Sequence, residues 1–225
     1  MRGKLIVIEG TDCSGKETQS NLLIEALRKE NIKIEKFSFP NYNSPTGKIV
    51  GGPYLGKKYI SDGWFPEDAT NVDPKVSSLY YAADRRYNIP KIELLLANGM
   101  NVILDRYVYS NMAHQGGKIN NEDNRREMYE WVDNLEFKLL ELPRSDINIF
   151  LHMPYEKTLI LKSDRPESGD QHEVNAEHLM QAERSYLEIA EKYEFKTIEC
   201  VDGQRIKTID EIHEELKNYV LSILR

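Results

Sequence analysis

The sequence predicts an α/β protein: a doubly wound, five-stranded parallel sheet with helices on both faces. Short, wholly apolar runs alternate with longer segments of helical periodicity, as expected of strands buried on both faces and joined by helical crossovers. A glycine-rich turn separates the first apolar run from the first helix. No repeat, low-complexity tract or shift in composition interrupts the 225 residues, so residues 1–225 are expected to form one domain.

Taken in order, Leu5-Ile6-Val7-Ile8 reads as the first buried strand. Lys16 to Glu30 follows as a helix turning Leu22, Leu23, Ala26 and Leu27 inward. Ile32 to Phe37 is a second strand with fewer apolar residues, suited to a sheet edge. Pro40 to Val76 is rich in glycine and proline and reads as a long irregular insert, a feature usually tied to function. A helix through Tyr80 to Tyr87 meets Pro90, which lacks the N–H a helix interior needs, so a fresh helix is expected from there to Ala97. Val102-Ile103-Leu104 is a third strand that delivers Asp105 at its carboxyl end. Amphipathic helices are predicted through Met128, Trp131, Leu135 and Leu139, through Leu179, Ala182, Tyr186 and Ile189, and from Ile209 to Ile223. Ile147 to Leu151 and Thr197 to Val201 complete the strands. The polar stretch 163–174, with Asp164, Arg165, Pro166 and Gly169, breaks the pattern and is expected to be a mobile lid.

Composition narrows the partners. A net charge of -7 argues against nucleic acid, whose binding rests on a basic face that neutralises phosphates. The run Leu5 to Ile8 is too short for a membrane span or a signal peptide. Two cysteines, Cys13 and Cys200, are too few for a disulfide framework and point to a reducing cytoplasm.

The sharpest local signal is Gly10-Thr11-Asp12-Cys13-Ser14-Gly15-Lys16, set between a strand and a helix. Glycines at both ends let successive backbone N–H groups curl around a phosphate, and the helix N-terminus adds positive potential. Lys16 then reaches the β- and γ-phosphates of a nucleotide. Such loops usually carry Ser or Thr directly after the lysine as a Mg²⁺ ligand, but here Glu17 stands there and Thr18 follows. One residue along a helix rotates a side chain by about 100°, so Thr18 does not simply substitute. Either Glu17 ligates Mg²⁺, directly or through water, or it points away and phosphates, water and Asp105 hold the metal.

Two further clusters lie downstream. Asp105-Arg106-Tyr107-Val108-Tyr109-Ser110, closing with Gln115-Gly116-Gly117, sets a carboxylate and a phosphate-clamping arginine at a strand end. Tyr81 and Arg85, four apart, share one helix face: by spacing alone such a pair more often packs together, but it also suits a base stacked on the ring and hydrogen-bonded by the guanidinium.

Together these residues resemble the thymidylate kinase family from the P-loop to the C-terminal helix. The resemblance rests on Ile8 to Asp12 with Gly15-Lys16, on Phe39-Pro40 with Thr46-Gly47-Lys48, on Tyr81 to Arg85, on Asp105-Arg106-Tyr107 with Ser110, and on Asp170 to Glu173 in the lid. It implies transfer of the γ-phosphate of ATP to dTMP with Mg²⁺, usually in a homodimer. By this likeness Tyr81 stacks on thymine, Arg85 reads its O4, and Ser110 and Gln115 line the base pocket. Arg106 holds the acceptor phosphate, Asp12 lies near the 3'-hydroxyl, and Lys16 and Asp105 serve catalysis.

The chain departs from the family at three points. Members carry a catalytic arginine in the P-loop or the lid, whereas this chain has Cys13 and Gln171, leaving Arg165 as the candidate for that role or for stacking on adenine. The loop after Phe39-Pro40 usually supplies an arginine to the acceptor phosphate; here Tyr42 could donate one neutral hydrogen bond, with Lys48, Arg85 and Arg86 as other candidates. The third is Glu17. Two rivals follow: a deoxynucleoside kinase, and a P-loop binding protein with little catalysis.

Overall fold

The computed structural model describes residues 2–162 and 176–225. The lid assigned to 163–174, with Arg165 and Gln171, lies outside the described residues. Five strands form one parallel sheet in the order β2-β3-β1-β4-β5: β1 (Leu5–Gly10), β2 (Ile34–Ser38), β3 (Asn101–Asp105), β4 (Ile147–His152) and β5 (Lys196–Glu199). The helices are α1 (Lys16–Lys29), α2 (Pro45–Ile49), α3 (Pro74–Ala97), α4 (Val108–Gly117), α5 (Glu122–Asp133), α6 (Tyr155–Lys162), α7 (Ala176–Lys192) and α8 (Ile209–Leu224). A small antiparallel hairpin, β6 (Val201–Asp202) and β7 (Arg205–Ile206), precedes α8.

Alternation along β1 divides the core into two layers. Leu5 and Val7 join the cluster under α3, α4, α5 and α7, while Ile6 and Ile8 join the one under α1 and α8. In register, Ile8 lies opposite Asp105 and Gly10 opposite Leu151, so the carboxyl ends of β1, β3 and β4 are neighbours. Doubly wound sheets bind ligands at that edge. β2 lies at an edge, as its composition predicts.

Three expectations need correction. Pro90 does not start a fresh helix; α3 runs unbroken through it. Pro90 and Arg86, four residues before it, are both exposed, so the carbonyl deprived of its N–H partner lies on the solvent face. The insert is less irregular than expected, since Ser44 caps α2 with Pro45 at its first turn and a π-helical turn, Val50–Tyr54, follows. Its Val50, Tyr54, Leu55, Ala69 and Val72 form a small core of their own against Tyr80 and Tyr81. Third, the helix expected through Leu139 leaves α geometry after Asp133 and finishes as a π-helical turn, Asn134–Leu139. The wider turn shifts the phase. Glu136 and Phe137 therefore face inward, and Leu139 is 76% exposed.

Helix α4 was not anticipated. Its first turn has no local side-chain cap. The N–H groups of Tyr107 and Ser110 donate instead to the carboxylate of Glu9 on β1, at 2.8 and 3.0 Å. A cap supplied from another strand leaves no mark at the helix start.

Candidate active site

The loop after β1 is shaped by close approach. A Cβ on Gly10 would meet the Ser14 Oγ at 2.5 Å and the Leu151 carbonyl at 2.7 Å. Cys13 and Gly15 take left-handed φ values of 58° and 76°, curling the loop onto the N-terminus of α1. Thr11 ties it to β4: its hydroxyl donates to the Met153 carbonyl at 2.7 Å and accepts from the Met153 N–H at 2.9 Å. Lys16 is buried, with Nζ donating to the carbonyls of Gly10 and Thr11 at 2.9 and 2.8 Å. Burial first, then the nearby Arg106, brings its pKa down to about 8, although Asp12, Asp105 and Glu9 pull the other way.

Across the sheet edge, Arg106 turns out of β3 with a φ of 68°. Its guanidinium donates to Asp12 Oδ1 at 3.3 Å, to the Tyr186 hydroxyl at 3.2 Å and to Ser110 Oγ at 3.4 Å. Burial disfavours its charge, but Tyr186, Asp12, Glu9 and Asp105 outweigh that and hold it more firmly protonated. Glu9, fully buried, is pushed up by desolvation despite its bonds from Ser110 and Tyr107.

Between these groups and the insert opens a cavity of about 320 Å³. Asp12 and Glu17 line it on the P-loop side, and Phe39, Pro40 and Tyr42 on the insert side. Tyr81, Arg85, Arg106 and Ser110 line the rest of the wall named from sequence. The Phe39-Pro40 bond is cis. Glu17 is exposed and lines the cavity. Tyr81 is braced edge-on by Tyr54, with ring centroids 5.7 Å apart. Arg85 is 2% exposed and forked onto Glu136, its Nη2 donating to Oε1 at 2.6 Å.

Other expected residues fall elsewhere. Gln115 is fully buried and off the cavity, and among the described residues neither of its amide atoms has a hydrogen-bond partner. α4 turns it inward, because Ser110 and His114 take the cavity face. Thr18 is exposed and off the cavity, as the rotation from Glu17 requires. Lys48 and Arg86 are also exposed and absent from the wall.

Sequence reasoning missed Lys57, Asn111 and His114, which line the cavity, and Lys36, whose Nζ lies 3.6 Å from Asp105 Oδ2. Ser110, Asn111 and His114 share a helix face by their spacing, so reading 108–117 as helical would have found them. Lys57 sits 5.3 Å over the Tyr42 ring, beside the position where the expected arginine is missing. Only the fold of the insert brings it there. Glu9 carried a signal that went unused, a carboxylate inside an otherwise apolar strand.

A curled glycine loop with an arginine beside it at the wall of an open cavity suits transfer between two phosphate-bearing ligands. Comparison with known proteins agrees. The chain matches the family described as thymidylate kinase over residues 8–215. The thymidylate kinase of Homo sapiens is 28% identical over 216 residues, covering 96% of this chain and 89% of that protein. Protein 251L of Invertebrate iridescent virus 6 is 35% identical over 150 residues, 67% of this chain and 60% of that longer protein. The solved thymidylate kinase of Candida albicans superposes with a TM-score of 0.74 at 27% identity, covering 98% of this chain and 92% of that one. This chain belongs to the thymidylate kinase family.

Proposed function

We propose that this chain transfers the γ-phosphate of ATP to dTMP, giving ADP and dTDP. The observation that carries the reading is that one cavity joins the P-loop to the acceptor wall, with Asp12 and Glu17 on one side and Tyr81, Arg85 and Arg106 on the other. Gly10 to Lys16 would bind the ATP phosphates, Lys16 exchanging two backbone carbonyls for phosphate oxygens. Arg106 would hold the acceptor phosphate in line, helped by the Tyr42 hydroxyl and Lys57, while Tyr81 stacks on the base and Arg85 donates to its O4. Asp12 would orient the sugar and keep Arg106 aimed through their 3.3 Å contact.

Mg²⁺ fits the donor set as a cation brought in by the nucleotide. Glu17 and Asp105 offer carboxylate oxygens, and among the described residues no group of three or more His, Cys, Asp or Glu makes a closed site. When bound, the ion neutralises charge on the transferring phosphates. The lid at 163–174 would contribute Arg165, and closure would exclude water as a competing acceptor.

The chain is read as one domain acting as a homodimer. Val76, Leu79, Ala83, Tyr87, Pro90 and Leu94 form an exposed stripe along one face of α3, with Tyr87 59% and Leu94 64% exposed. An apolar stripe of that length suits burial against a second copy. The low cysteine count and net charge of -7 support a cytoplasmic setting without nucleic acid or membrane partners.

An ADP-release assay with ATP and Mg²⁺ against dTMP, dUMP, thymidine, dCMP, AMP, GMP and UMP tests the reading. The expected result is turnover highest with dTMP. Preference for thymidine would move the chain to the nucleoside kinases, and silence with every acceptor would leave a nucleotide-binding protein.

A further inference from the structure

Lys118 does not line the cavity, yet it joins the segments that do. It caps the C-terminal end of α4, and that end has no room to shift. A Cβ on Gly116 would meet Tyr129 Cε1 at 2.3 Å, and one on Gly117 would meet the Ala182 nitrogen at 3.1 Å. From this fixed base the ammonium reaches across to the insert. It donates to the carbonyls of Ala69 and Val72 at 2.9 and 2.8 Å and to the Ser77 hydroxyl at 3.2 Å. An ammonium carries three donors, and three acceptors face this one.

The acceptors explain why a cation stands here. Ala69 and Val72 are buried, in a turn where the Asn71 N–H donates to the Asp68 carbonyl at 2.7 Å. The turn belongs to no strand or helix, and a buried carbonyl left without a donor is costly. Ser77 Oγ, in the first turn of α3, donates to the Asp73 carbonyl at 3.0 Å and so meets Lys118 as an acceptor. The Ala69 carbonyl is shared, because the Tyr54 hydroxyl also donates to it, at 3.0 Å. Tyr54 is the ring that stands edge-on to Tyr81. One ammonium therefore links the insert, the start of α3 and the end of α4, and it shares an acceptor with the brace of Tyr81.

We propose that Lys118 is a positioning residue for the acceptor: it clasps the insert to α3 and α4 and so holds Tyr81 and the insert wall opposite the side chains of α4. The inference rests on reading the cavity as the acceptor site. The glycine loop is tied instead to β4, through Thr11 and Met153, so the clasp acts on dTMP and leaves ATP alone.

Lys118→Met tests this, since methionine keeps an apolar stem and removes the charge and the donors. Calorimetric titration of each ligand by itself should show dTMP binding weakened about tenfold, the scale of one or two buried hydrogen bonds, with binding of ATP and Mg²⁺ unchanged. Initial rates should show the matching rise in KM for dTMP with kcat at saturation retained. Equal losses for ATP and dTMP, or unaltered dTMP binding, would overturn the proposal. Tyr54→Phe removes the other donor to the Ala69 carbonyl. The double variant should lose more dTMP affinity than the product of the single losses, because either donor alone still satisfies that carbonyl; a simple product counts against the proposal. If the methionine variant does not melt cooperatively, Lys118→Arg is measured in its place. Its planar fork keeps the charge but does not match three acceptors gathered around one nitrogen, so a smaller, still dTMP-specific loss is expected, and no loss overturns the proposal. A wild-type protein that fails to bind dTMP would remove the acceptor-site reading itself, whereas dTMP binding indifferent to these substitutions removes only the role of Lys118.

Discussion

The glycine loop proposed as the phosphate cradle and the cavity proposed for the acceptor meet at Asp12, yet they are built in opposite ways. The cradle is one continuous stretch, Gly10 to Lys16, whose shape follows from two left-handed residues and the start of α1. The cavity wall is gathered from the Phe39-Pro40 turn, the insert at Leu55 and Lys57, the Tyr81–Arg85 face of α3, and α4. Local geometry makes the first, and packing makes the second. Phosphate binding should therefore depend mainly on the loop and its tie to Met153, while recognition of the base should depend on residues drawn from the insert, α3 and α4.

The largest expected effect lies in the cradle. Lys16→Met should lower kcat by roughly a hundred- to a thousand-fold, equally for every acceptor, because the lost charge stabilises the phosphoryl group and not the base. A panel of acceptors assayed by ADP release checks this. A loss that varied with the acceptor would break the division between the two regions.

A smaller, acceptor-specific effect is expected in the cavity. Tyr81→Ala removes the ring braced by Tyr54 and should raise the KM for dTMP about tenfold, the scale of one base–aromatic stack, with the KM for ATP unchanged. Initial-rate kinetics with each substrate varied in turn separate the two constants. A matching rise for ATP would mean that the insert core supports the cradle as well.

The smallest effect concerns the scaffold behind the cradle. His152, at the end of β4, lies 2.8 Å from both Glu183 on α7 and Glu199 on β5. Burial works against its protonation, but the two carboxylates outweigh it and raise its pKa above the ordinary 6.5. A group raised in the folded state adds stability that is complete below pH 6.5 and is lost as pH climbs through the folded value. The wild-type melting temperature should therefore drop across that interval, and His152→Gln should flatten the change. Melting curves from pH 5.5 to 8.5 test it, and parallel profiles for the two proteins would assign the stability to other groups.

The same division explains what was legible in advance. The glycine loop, the Asp105-Arg106 pair at the end of β3 and the shared face of Tyr81 and Arg85 could be placed in advance, because each placement depends on spacing within a strand end or a single helix face. Gln115 was misassigned because the direction of a side chain on α4 depends on a helix whose cap, Glu9, lies on another strand. Asn111 and His114 were lost with that helix, and Lys57 because no periodicity reports how an insert folds back.

By itself the sequence determined the five-stranded parallel sheet, its edge strand β2 and the phosphate loop at the end of β1. Apolar runs and glycine positions act over a few residues and need no partner to be read. Only the tertiary structure decided that Glu136 turns inward, that Arg85 is held in its grip and that Lys57 and Asn111 line the cavity. Those outcomes depend on a π-helical turn and on contacts between segments far apart in the chain, where a buried charge such as Glu136 is tolerated only with donors around it.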